Sequence, residues 1–124
     1  MAIVLIVDDS LLLRMNITNI VKSGGYEILE ASSGTGALQI ITEKKPDCMC
    51  LDLLMPDMDG FNVLEAMGER VKEIPVIVLT ADIQTSTRDK CLELGAAMIL
   101  NKPPKKDTLL AAIKELISQK EKQD

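Results

Sequence analysis

Histidine and tryptophan are missing from this chain, and its aromatic residues come down to Tyr26 and Phe61. Without histidine there is no imidazole base and nothing to complete a Cys/His zinc site. With so few rings, the core must be built from Ile, Leu, Val and Met. No apolar run approaches the roughly 20 residues that a membrane-spanning helix needs, so no membrane insertion is expected. Positive charge is not in excess either. The net charge of −5 argues against direct nucleic-acid binding, which wants clustered Lys and Arg. The three cysteines, Cys48, Cys50 and Cys91, make no C-x-x-C pair. Cys48 and Cys50 are two apart in a strand-like run and share a face, so buried free thiols in a reducing compartment are expected. G-x-G-x-x-G, Walker and G-x-S-x-G signatures are absent, which removes support for a nucleotide-binding or hydrolytic enzyme. The opening "MAIVLIVDD" has no basic n-region and soon meets acid. It does not read as a signal peptide, and a cytoplasmic location is the expectation.

What is present is order. Apolar residues make up 47% of 124, enough for one domain over residues 1–124 with its own core. Short apolar runs alternate with amphipathic stretches. Strands are predicted at 2–7, 26–31, 48–51, 75–80 and 97–100. The second of these has exposed positions and suits an edge. Helices are predicted after "DDS" up to Gly24, around Ala37 to Ile41, from Gly60 to Val71, from Thr85 to Leu94 and from Lys106 to Gln119. The polar "SQKEKQD" is expected to fray. Five strands alternating with five helices predict a (βα)5 fold, a parallel sheet with helices on both faces. Such sheets place ligands at the carboxyl ends of their strands.

At those ends the chemistry gathers. Strand one ends in Asp8-Asp9, strand three in Asp52, strand four in Thr80, and strand five runs into Asn101-Lys102. Three carboxylates that close repel one another unless a cation sits among them. A hard divalent ion such as Mg2+ fits oxygen ligands and leaves room for a phosphoryl oxygen. The Leu54 backbone carbonyl, in the acidic loop behind Asp52, is a further candidate ligand. A carboxylate beside such an ion is a plausible nucleophile toward phosphorus, with Lys102 and the Thr80 hydroxyl as clamps.

Each residue also has a plainer reading. Asp8-Asp9-Ser10 suits a helix cap, Thr80 a local capping hydroxyl, and Lys102 a solvated lysine. Taken together, those readings leave unexplained why all five functional positions fall at one sheet edge. Asp57, Asp59 and Gly60 match part of a calcium loop, but its end positions would be Met55 and Ala66, so Asp59 is expected to cap the third helix instead.

The motifs "LIVDDS", "LDLLMPDMDG", "VIVLTA" and "NKPP", in that order and covering nearly the whole chain, resemble the receiver domains of bacterial two-component response regulators, above all the single-domain type of chemotaxis. The resemblance implies a flavodoxin-like, doubly wound sheet of order 2-1-3-4-5. It implies a monomeric signalling switch rather than an enzyme proper. Asp52 would accept a phosphoryl group from a sensor histidine kinase or phosphotransfer protein. Mg2+ would be held by Asp8, Asp9, Asp52 and the Leu54 carbonyl. Thr80 and Lys102 would contact the phosphoryl group, and a cis Lys102-Pro103 bond would aim Lys102 inward. Phosphorylation would change binding to a downstream protein target. A pseudo-receiver that binds partners without taking phosphate is the alternative. One position departs from the family pattern: Ile99 stands where an aromatic commonly precedes the lysine by three residues. Leu54 and Asp82 fall where the family tunes dephosphorylation.

Overall fold

A computed structural model describes residues 1–81 and 83–122. Asp82, with whatever it contributes to dephosphorylation, lies outside the described residues. The strands are β1 (Ile3–Val7), β2 (Glu27–Ala31), β3 (Cys48–Asp52), β4 (Val76–Thr80) and β5 (Met98–Asn101). Between and after them come α1 (Leu11–Ser23), α2 (Gly34–Lys44), α3 (Gly60–Met67), α4 (Thr85–Glu93) and α5 (Lys106–Lys122). All the pairings are parallel, and the order is β2-β1-β3-β4-β5. The expected architecture and the edge position of the second strand are therefore both found.

Alternation along the buried strands sorts the core into two layers. Val4, Ile6, Cys48, Cys50, Ile77 and Leu79 face Ile17 and Val21 of α1 and Leu109, Ile113 and Leu116 of α5. Their neighbours Leu5, Val7, Met49, Leu51, Val76 and Val78 face Ala37 and Ile41 of α2, Val63, Leu64 and Met67 of α3, and Cys91 of α4. Each fully buried Leu or Ile contributes about 1.5–3 kcal/mol. Both sheet faces are covered, which is why β1, β3 and β4 read as continuous apolar runs. All three cysteines are free and buried, as expected. Burial pushes the Cys48 thiol up to about 12 and Cys50 well above its ordinary value, so neither is a nucleophile at neutral pH.

Two expectations are corrected. The third helix does not reach Val71: α3 stops at Met67 and a 3-10 turn runs over Gly68–Lys72. Gly68 takes φ +54, outside the right-handed helical region, and its N–H closes on the Leu64 carbonyl. Val71 still packs on the core from that turn, so the apolar spacing is satisfied without a continuous helix. The chain's last helix, expected to end at about Gln119, continues to Lys122, and the final two residues of the tail expected to fray lie outside the described residues. Lys120 pairs with Asp47 at 3.6 Å, and Gln119 donates to Glu115 one turn back at 3.3 Å. Among the described residues, no helix is long and apolar enough to cross a membrane.

Candidate functional site

β1 and β3 end side by side, and each delivers an aspartate. Val7 lies opposite Leu51, so the residues that follow, Asp8 and Asp52, emerge at the same level. Asp52 in turn is paired with Leu79, and Thr80 with Asn101, which carries the row across to β5. Asp8 is fully buried, Asp52 is 5% exposed and Thr80 4%, while Asp9 stands in the open. Carboxylate oxygens of Asp8, Asp9 and Asp52 all lie within 4.8 Å of one another.

The Lys102 ammonium is wedged between two of them, 2.8 Å from Asp8 Oδ2 and 3.1 Å from Asp52 Oδ1. Its backbone N–H donates to the Thr80 carbonyl at 2.9 Å, tying the start of the β5–α5 connection to the tip of β4. The Lys102-Pro103 bond is cis. A cavity of about 270 Å³ opens above the group, with Asp9, Asp52, Leu54, Thr80, Lys102 and Pro103 in its wall. All the predicted site residues thus come together at one rim, Leu54 included.

The electrostatics are unbalanced. Burial first, and then the Asp8 carboxylate, push the Asp52 pKa up; Lys102 and the Leu54 N–H pull it back only in part. Burial works against the Lys102 charge, yet the carboxylates of Asp8 and Asp52 outweigh it and raise its pKa. Three carboxylates cluster here, and one ammonium, that of Lys102, pairs with two of them, Asp8 and Asp52. Carboxylates gathered this closely repel one another unless more positive charge sits among them. A hard divalent cation is what this donor set fits: clustered carboxylates, with Leu54 in the same cavity wall.

The plainer readings hold as well, beside the sharper ones. Ser10 caps α1, accepting from Leu13 N–H at 3.3 Å, and its own N–H donates to Asp8 Oδ1 at 2.9 Å. Asp59 caps α3 through Asn62 N–H at 2.9 Å. Arg14 went unread in the sequence. Its guanidinium donates to the Asp8 carbonyl at 2.6 Å and to Glu30 at 3.1 Å, fastening α1 and β2 to the back of the site. The only sequence signal was a lone cation near the start of an otherwise apolar helix face.

Residues 4–114 match the family described as the response regulator receiver domain. Sporulation initiation phosphotransferase F of Bacillus subtilis is 33% identical over 117 residues, which cover 94% of each chain. Response regulator MprA of Mycobacterium avium is 32% identical over 98% of this chain; the chain spans about half of that relative, 53% of its length. Among solved structures, a CheY-like receiver domain protein of Methanospirillum hungatei superposes with a TM-score of 0.93 at 27% identity, covering 100% of this chain and 99% of the other. The chemotaxis protein CheY4 of Vibrio cholerae gives 0.86 at 31% identity, covering 94% and 98%. With the family matched over 111 of its 124 residues, a five-stranded sheet in the order these neighbours share and an acidic cluster at its rim, this chain belongs to the response regulator receiver domains of two-component signalling.

Proposed function

We propose that the chain is a phosphorylation-dependent switch, that residues 1–124 act as a single receiver domain in the cytoplasm, and that Asp52 is its phosphoacceptor. The carrying observation is the Lys102 ammonium held between Asp8 and Asp52 at the floor of an open cavity. Asp52 is the buried carboxylate that both faces the cavity and sits next to a fixed cation; Asp8 lies deeper, and Asp9 is exposed. In this reading an Asp52 oxygen attacks phosphorus, the P–N bond of a donor phosphohistidine breaks, and the imidazole leaves. The chain has no histidine, so the donor must be another protein, a sensor kinase or phosphotransfer protein, or a small acyl phosphate. Mg2+ held by Asp8, Asp9, Asp52 and the Leu54 carbonyl would offset the negative charge of the incoming phosphoryl group. Lys102 is close enough to transfer its contact from Asp52 to a phosphoryl oxygen, and Thr80 offers a hydroxyl from the neighbouring strand. Downstream, the phosphorylated form would bind a protein target differently from the free form.

The test is labelling by a small phosphodonor with and without Mg2+. Wild type should take up one acid-stable, base-labile phosphoryl group only with the divalent ion present, and Asp52→Asn should take up none. Labelling of the folded Asp52→Asn variant at another residue would overturn the assignment.

A further inference from the structure

Leu54 sits on the loop from β3 to α3, residues 53–59, and that loop is held at three places. At its base, Gly60 N–H donates to the Leu53 carbonyl at 2.8 Å. At its far end, Asp59 caps α3. The third hold is on a different element. Gly34, the first residue of α2, is buried, and a Cβ there would lie 2.8 Å from Met58 Cβ and 2.9 Å from the Met58 carbonyl oxygen. A side chain at Gly34 would therefore push the loop backbone away. Beside it the Thr35 hydroxyl donates to Asp57 Oδ2 at 3.4 Å. Against desolvation, the N–H groups of Met58, Asp57 itself, Gly34 and Thr35 together hold the Asp57 carboxyl below its ordinary pKa. Ser33 already caps α2 through Gly36 N–H at 3.0 Å, so Asp57 faces amides that the cap leaves open. A negative charge at this end of a helix is favourable.

We infer that Asp57 is a positioning residue: together with Gly34 it latches the 53–59 loop onto α2, and so fixes the Leu54 carbonyl for the divalent cation. The inference rests on the metal-site reading above. Mg2+ demands near-ideal octahedral geometry. A ligand on an unfastened loop has to be ordered at every binding event, and that ordering subtracts from affinity. Coupling is reciprocal, so cation binding at Leu54 tightens the latch in turn. The α2 amides at Gly34 and Thr35 then report on an ion that α2 does not ligate.

The experiment is Mg2+ titration by calorimetry on wild type, Asp57→Ala, Asp57→Asn and Gly34→Ala, with amide NMR at residues 34 and 35. Asp57→Ala should weaken Mg2+ on the order of tenfold, the usual scale for residues that orient a metal ligand. Asp57→Asn, which keeps an acceptor, should recover part of this, and Gly34→Ala should weaken binding from the helix side. Amide shifts at 34 and 35 should follow Mg2+ in wild type and not in Asp57→Ala. Asp57 is exposed, so the melting temperature of Asp57→Ala should stay near wild type, which separates lost positioning from lost fold. Equal Mg2+ affinity in wild type and Asp57→Ala overturns the latch and leaves the metal site standing. Wild type that binds no Mg2+ overturns the metal site, and the latch with it.

Discussion

Lys102 stands between two buried carboxylates, and the charge states of Asp52 and Lys102 set opposing pH dependences. The Asp52 pKa is raised in the fold, so the folded chain holds that proton more tightly than the unfolded chain does. Ionised Asp52 therefore costs stability above the ordinary carboxylate range, and the cost is relieved as pH falls through the folded value. Metal-free Asp52→Asn should accordingly be more stable than wild type at pH 8. That difference should shrink toward pH 5, and calorimetric melting at the two pH values checks both. A lower melting temperature for the variant at pH 8 would contradict the raised pKa. Lys102 behaves the other way. Its pKa is also raised, but for a base this is stability fully present below the ordinary lysine range and lost as pH climbs through the folded value. Lys102→Met leaves the carboxylates without their cation. It should lower stability at pH 8 by about 2–3 kcal/mol in urea unfolding, less at pH 5 where Asp52 can take up a proton.

At the scale of elements, Asp59 caps α3. Asp59→Ala should cost about 1 kcal/mol of stability, and titration of wild type with Ca2+ should show no site that this variant removes. How legible an element was depended on how local its causes are. The strands announced themselves because both sheet faces are covered, which leaves unbroken apolar runs such as residues 76–79. The row Asp8, Asp52, Thr80, Lys102 followed from those strands, because strand ends in a parallel sheet share one rim. The end of α3 was missed because Leu64, Met67 and Val71 keep a helical spacing, whereas the break lies in the backbone of Gly68. Lys120 near the end of α5 meets Asp47, far off in sequence, and the hold of Arg14 on Asp8 and Glu30 depends on α1 lying over β1 and β2. The Asp57–Thr35 contact likewise needs α2 and the 53–59 loop to be placed first. No local pattern encodes contacts of that kind.

For the molecule as a whole, the question is how a change at the rim would reach a partner. Ile99 is buried in the layer that holds Cys91 of α4 and Ala96, where the family commonly has an aromatic. A β-branched side chain is stiff at χ1 and sweeps little volume. Phosphorylation of Asp52 would add negative charge at the rim, and Thr80 would be drawn toward it. The chain that follows Thr80, leading into α4, would then shift. With beryllofluoride as phosphoryl mimic, amide changes should concentrate in residues 83–94 while the Ile99 methyl groups keep their rotamer. A flipped Ile99 with a silent 83–94 segment would show that the signal takes another route. Whether any of this occurs depends on Asp52 taking the phosphoryl group, and borohydride trapping tests that most directly. The chain is incubated with a small phosphodonor and Mg2+, the acyl phosphate is reduced to an alcohol, and the reduced residue is located by tandem mass spectrometry. Reduction at Asp52 alone, and only when Mg2+ is present, is the predicted result. Reduction at Asp8, Asp9 or elsewhere in the folded chain, or none at all, would contradict it.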